Sequence, residues 1–227
     1  MTLITLSRQL GSLGDAIAVQ VAQRLGLRLV DQEVINRAAL EIGVPRVALE
    51  ELGYEGQRNL AQQVLKAMRA MPLIPSTTPS DRDDVTLTLP FGGLLSPTAP
   101  PISASIEQYV HMVGLVVRNL AQEGNVLIVG RGGQILLGKE PGTLHLQIVA
   151  SEPVRIERVM ARYKVNYREA SQRVRASDRA RADYIRRYHN ADWLDPCLYH
   201  LVINTSQIPV PVAAEMIQGL HGALAQT

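Results

Sequence analysis

Cysteine is nearly absent from this chain: Cys197 is the only one in 227 residues. One cysteine excludes an intramolecular disulfide and fits a reducing compartment. Long apolar runs are missing too; none nears the roughly 20 residues needed to cross a bilayer. No early segment joins a basic start to a long apolar stretch, so no signal peptide is read. The expectation is a cytoplasmic protein with no membrane partner. The net charge of +2 is too small to imply nucleic-acid binding by itself. There is no internal repeat. His111, His145, His189, His200 and His221 are scattered without metal-ligand spacing. Cys197 is expected to be a small buried residue. Ser12 lacks the glycine pattern of a nucleophile elbow, so nucleophilic hydrolysis is not expected.

What is present is a core. A hydrophobic fraction of 46% over this length suits one domain, or one domain with an insertion. Short apolar runs at Met1–Leu6, Leu27–Val30, Asn125–Val129, Leu144–Val149 and Leu198–Asn204 read as strands. Helical spacing covers Asp15–Leu25, Gln32–Ile42, Ser105–Glu123, Pro153–Arg162, Tyr167–His189 and Pro211–Ala225. Ser105 is a suitable N-cap, and Pro153 and Pro211 suit first turns. Strand alternating with helix predicts a three-layer α/β fold around a parallel five-stranded sheet.

Three segments stand out against this background. Between the first strand and first helix lies Ser7-Arg8-Gln9-Leu10-Gly11-Ser12-Leu13-Gly14. A strand, a glycine-bearing turn and a helix N-terminus together suit a phosphate, through backbone N–H groups and the helix dipole. The lysine that such a turn normally carries is missing. The interval Pro72–Ser103 holds seven of the thirteen prolines and cannot be a long helix. It reads as a mobile flap or a disordered surface insertion, with Val85–Leu89 able to pair as a short strand. Between Arg155 and Arg187, eleven basic residues face four acidic ones, a local +7 that leaves about −5 elsewhere. Such a segment suits an anionic partner, and arginine suits forked contact with phosphate oxygens. The alternative is a solvated helix face. RNA contact is less favoured, because few aromatics beyond Tyr163, Tyr167, Tyr184 and Tyr188 are interleaved.

Four local patterns together resemble the cytidylate kinase-like family, the nucleoside monophosphate kinase branch of the P-loop kinases. The first is the turn. Counting back twelve residues from Gly26 puts Gly14 where the P-loop lysine stands, Ala16 at the Ser/Thr, Leu13 at the preceding glycine and Arg8 at the first glycine. The form Ser-Arg-x-x-Gly-Ser-x-Gly resembles the branch in which the loop lysine is usually absent. A basic residue often comes after the last glycine there; here it is Asp15. The second pattern is Asp31 to Arg37, similar to the Asp-Ser-Gly-x-x-Tyr-Arg segment, with Gln32 for the serine and Asn36 for the tyrosine. The third is Gly130-Arg131-Gly132-Gly133, similar to a Gly-Arg-Asp segment, with Gly132 in place of the aspartate. The fourth is Asp178-Arg179-Ala180-Arg181, similar to the Asp-Arg-x-Arg of the lid. Tyr184, Tyr188, Trp193 and Tyr199–Ser206 resemble the carboxyl-terminal end of the family.

The resemblance spans about 1–45 and 105–227, with a lid at about 155–190 and residues 46–104 as an acceptor-side insertion. It implies a P-loop kinase-like fold with a helical lid and an inserted flap. It implies γ-phosphoryl transfer from ATP to CMP, dCMP or a related acceptor. Gly11, Ser12, Leu13, Gly14 and Asp15 would then hold the donor phosphates, and Asn204 would read the adenine edge or form a polar turn. Arg8 would reach the phosphates in place of the lysine, or pair with a structural carboxylate. Asp31, Arg37 and Arg131 would bind the acceptor, although Asp31 also suits a helix N-cap and Arg37 an exposed helix position. Arg179 and Arg181 would close with the lid, oriented by Asp178. Magnesium is expected from the chemistry, with no protein ligands identified. The rival reading is a catalytically weak or inactive nucleotide-binding regulatory module. A third is an RNA-binding protein acting through the basic helix. The oligomeric state is not legible.

Overall fold

The computed structural model describes residues 2–44 and 106–224. The Pro72–Ser103 segment, the Val85–Leu89 strand, the Ser105 cap and Ala225 lie outside the described residues.

Five strands form one parallel sheet: β1 Leu3–Arg8, β2 Arg28–Val30, β3 Val126–Val129, β4 Thr143–Val149 and β5 Leu201–Asn204, in the order β2-β3-β1-β4-β5. The helices are α1 Gly14–Leu25, α2 Gln32–Glu41, α3 Ile106–Gln122, α4 Gly133–Leu136, α5 Glu152–Tyr163, α6 Tyr167–His189 and α7 Val210–Leu224. β1 pairs with β3 (Leu6 with Val129) on one side and with β4 (Leu6 with Leu146) on the other. Successive strand residues face opposite sides. Ile4, Leu6, Leu127, Val129, Leu144, Leu146 and Ile148 therefore share one buried face with Ile17, Val21, Ala213 and Ile217 of α1 and α7. On the other face, Val30, Val126 and Ile128 pack with Ile35 of α2, Val113 and Val117 of α3 and Ile185 of α6.

That second face turns polar where it meets the 193–200 segment. Thr5, Ser7, His145 and Gln147 are all buried there, and each has a partner, as burial of polar groups demands. Thr5 Oγ1 and His145 Nδ1 are 2.7 Å apart, Trp193 Nε1 donates to Ser7 Oγ at 2.8 Å, and Gln147 Nε2 donates to Trp193 O at 3.0 Å.

The predicted elements are present with several ends shifted: β1 runs over Leu3–Arg8, so Ser7 and Arg8, read as part of the turn, close the strand. β5 starts at Leu201, because Pro196–Leu198 forms a 3₁₀ turn capped by the Asp195 carboxylate. The four-residue α4 is too short to leave a periodic signal. Cys197 is exposed, contrary to the buried position expected for it; it lies in that 3₁₀ turn at the surface, beside Asp195, whose hydrogen bond and charge push the thiol pKa up. No helix among the described residues is long and apolar enough to cross a membrane.

Candidate active site at the carboxyl edge of the sheet

All five strands point the same way, so the segments following β1, β3, β4 and β5 converge on one edge. β1 is central, where the chain leaves toward β2 on one side and later returns to β4 on the other; ligands of open α/β sheets bind at such reversals. The turn after β1 opens directly into α1. Gly11 and Leu13 both have positive φ, of 80° and 61°. Leu13 thus takes the left-handed conformation of the glycine it replaces, at a cost of about 1 kcal/mol. It is the N-cap of α1 and supplies no side-chain acceptor. The first N–H groups of α1 consequently have neither an intrahelical partner nor a cap.

Arg8 and Gly14 fit only as a pair. A β-carbon on Gly14 would lie 2.4 Å from Arg8 Cβ and 2.9 Å from Arg8 Cγ. The arginine stem therefore crosses the ground a lysine at residue 14 would occupy. Its head does not point freely outward: Nε donates to Asp15 Oδ1 at 2.9 Å, with the carboxylate 60% exposed. Ser12 is buried, and its hydroxyl donates to Gln9 O at 2.8 Å within the turn.

Arg8 lines a small cavity with Ser7, Gly130, Gly132, Arg181 and Trp193; the space between them is about 10 Å³, room for about one water. Arg181 is 6% exposed, donates to Ser177 Oγ, and stands 6.0 Å from the centre of the Trp193 ring. α6 thus brings one arginine beside Arg8 at the carboxyl end of β1. Arg179, two residues earlier, is exposed. Asp178 is paired to Arg155 Nη1 at 2.8 Å, with Arg181 near enough to act on its charge. Burial nonetheless pushes the Asp178 carboxyl above its ordinary pKa, outweighing the pull of Arg155 and Arg181.

Arg131 is 1% exposed, has φ 54°, and donates to Asn36 Oδ1 at 2.6 Å. This contact ties the turn after β3 to α2 beside the exposed Arg37. Gly132 leaves room for His189: a β-carbon there would come 2.7 Å from His189 Nε2. A side chain at residue 132 would therefore require the His189 ring to move. Burial lowers the His189 pKa. Asp31 caps α2, accepting from Glu33 N at 2.9 Å and Val34 N at 3.0 Å. Asn204 is exposed at the end of β5, where its Oδ1 accepts from Ser206 N at 3.0 Å.

Sequence reading missed Asn36, Arg155, Arg158 and Thr205. Arg155 and Arg158 belong to the basic segment by composition, but each donates to a backbone carbonyl of the loop, besides contacts with Asp178, Ala150 and Thr205. Their spacing of three, which places them on one face of α5, is the only signal that could have marked them. Among the described residues no three or more His, Cys, Asp or Glu side chains gather to hold a metal. Ala16 also offers no hydroxyl for a metal.

The sequence pattern of the cytidylate kinase-like family matches residues 3–207. Among solved structures, an uncharacterized protein from Eubacterium ventriosum superposes with a TM-score of 0.66 at 16% identity, covering 98% of this chain and 99% of that one. A shikimate kinase from Bacteroides thetaiotaomicron superposes at 0.50 and 10% identity, covering 96% and 97%. At these identities the likeness establishes a shared fold. No curated protein matches the chain significantly.

Proposed function

This chain belongs to the cytidylate kinase-like family, and from that premise we propose that it transfers the γ-phosphoryl group of ATP to a nucleoside monophosphate, with CMP or dCMP as the favoured acceptor. The acceptor oxygen forms the new P–O bond, the bond to the β-phosphate oxygen breaks, and ADP leaves. Such a transfer is mostly positioning and charge stabilisation. The N–H groups of Gly11, Leu13 and Gly14 and the uncapped start of α1 would cradle the donor phosphates, with the Ser12 N–H held on Gln9 O, Asp15 at the rim and Asn204 beside the base. Arg8 would supply the positive charge that the loop lysine supplies elsewhere. Arg37 and Arg131 would hold the acceptor phosphate, with Asp31 beside them. Arg179 and Arg181 would converge as the lid closes, held by Asp178, and closure would keep water from taking the phosphoryl group. Any magnesium would arrive with the triphosphate, and no step here depends on a protein-held metal.

One observation supports this reading: the Arg8 stem lies across Gly14, from where its guanidinium would supply the positive charge that the loop lacks. A coupled phosphotransfer assay with ATP and a panel of monophosphates tests it. Activity on CMP that Arg8→Ala reduces by about 10²-fold or more, the scale of one lost transition-state donor, supports the reading; turnover unaffected by Arg8→Ala refutes the role of Arg8.

The Arg8–Asp15 ion pair favours a second reading. Half-neutralised by its neighbour, Arg8 would serve binding better than transition-state stabilisation, and the protein would be a nucleotide-responsive module. Calorimetric binding of ATP with no turnover on any monophosphate selects it.

A further inference from the structure

Three successive carbonyls of the loop after β1 are held from outside it. Arg155 Nη1 donates to Leu10 O at 3.4 Å, Arg158 Nη1 to Gly11 O at 3.2 Å, and Thr205 Oγ1 to Ser12 O at 2.8 Å. The donors are themselves fixed. Arg158 grips Thr205 twice, through Nη1 to Oγ1 at 3.0 Å and Nη2 to O at 2.8 Å. Arg155 is 4% exposed; its Nε donates to Ala150 O at 3.0 Å and its Nη1 pairs with Asp178. Gly11 is pressed against the same helix, since a β-carbon there would lie 2.7 Å from Arg155 O.

In a trans peptide the C=O and the following N–H point in opposite directions. Carbonyls drawn toward α5 and the end of β5 therefore turn the next N–H groups, those of Gly11 and Leu13, to the other side of the loop. The N–H between them, on Ser12, folds back onto Gln9 O at 3.2 Å. We propose that Arg155, Arg158 and Thr205 are positioning residues: they set the peptide planes of the loop for a polyphosphate anion and do not contact that anion themselves. This rests on the loop being an anion seat, as proposed above. Dipoles fixed before the ligand arrives need no reorganisation when it binds. The relay from Arg158 through the Thr205 hydroxyl to Ser12 O is a chain in which each bond polarises the next.

The test uses the full chain, with inorganic tripolyphosphate and ATP as probes in titration calorimetry, and amide hydrogen exchange across Gly11–Gly14 as the second readout. Thr205→Val removes a donor and no charge. It is expected to weaken tripolyphosphate binding about tenfold, the equivalent of one net hydrogen bond, and to speed exchange of the loop amides, equally at low and high salt. Thr205→Ser is expected to bind as the wild type does. Arg158→Lys keeps the charge but loses the two-pronged grip, and is expected to bind as weakly as Arg158→Ala. Wild-type affinity in Arg158→Lys, or a loss in Arg158→Ala that disappears at high salt, assigns Arg158 to direct phosphate contact and overturns the proposal. So does undisturbed binding by Thr205→Val; should that variant not fold, Arg158→Lys decides alone. A wild type that binds neither probe overturns the anion seat itself, whereas a binding wild type with equally binding variants overturns only the positioning role.

Discussion

Residue 14 and residue 8 compete for the same volume. With 2.4 Å between Arg8 Cβ and any β-carbon at residue 14, restoring the lysine of other P-loops here should not restore function. Gly14→Lys is expected to destabilise the fold by about 1–3 kcal/mol through overpacking. Adding Arg8→Gly should recover most of that loss, read as a coupling energy in a denaturant-unfolding cycle; strictly additive effects would contradict the crossing of the two side chains. Asp15 is the other constraint on Arg8. An exposed pair of this kind is worth less than about 1 kcal/mol, so Asp15→Asn should tighten ATP binding only about threefold. Calorimetry measuring weaker binding by Asp15→Asn would mean that the carboxylate holds Arg8 in place for the nucleotide and does not compete with it. Arg8 itself was legible as the one cation of the loop. Pairing with a structural carboxylate was the alternative read for it, and the structure has that pair; that the partner is Asp15 was not legible, because the meeting of residues 8 and 15 depends on the left-handed turn at Leu13, a position where leucine gives no sign of that conformation.

Elements were legible where their ends carry chemical signals. α6 runs over Tyr167–His189 as its pattern predicts, because Asn166 caps it by accepting from Glu169 N at 2.9 Å and Asn190 ends it with a positive φ. α2 begins at Gln32 for the same reason, with Asp31 as its cap. That cap sets up a discriminating experiment. Asp31→Ala is expected to cost about 1 kcal/mol in unfolding free energy, and Asp31→Asn close to nothing. If Asp31→Asn leaves stability intact yet raises KM for CMP, the carboxylate also serves the acceptor; if KM is unmoved, capping is its whole role. The basic segment divides on folding in a way composition did not foreshadow. Arg173 and Arg175 pair with Glu169 and Glu152 on exposed surface, while Arg155 and Arg181 are buried. A count of charges cannot separate these groups, because the face each residue presents is decided by what α5 and α6 pack against.

At the scale of the whole molecule, the polar patch around His145 is expected to make stability depend on pH. Burial, and the charge of His200 stacked 5.2 Å away, lower the His145 pKa to about 4. The unfolded chain takes up a proton near pH 6.5, whereas the folded protein cannot do so until about pH 4. The unfolded state thus binds more protons in this window, and stability falls as the pH drops from about 6.5 to about 4, by at most about 3 kcal/mol. Urea unfolding across this range should record the decline, and His145→Gln should flatten it; an unchanged slope in that variant would assign the acid sensitivity elsewhere.

Alternation of short apolar runs with helical patterns determined the layered sheet, and the glycine turn after the first strand marked the loop proposed as an anion seat. Both are written in neighbouring residues, since periodicity and caps act over a few positions. What each arginine touches was decided only by the tertiary structure. Trp193 meets Ser7 across 186 positions, Arg155 meets Leu10 across 145, and Thr205 meets Ser12 across 193. Such contacts exist because parallel strands deliver their carboxyl ends to one edge, and no local pattern encodes which side chains arrive there together.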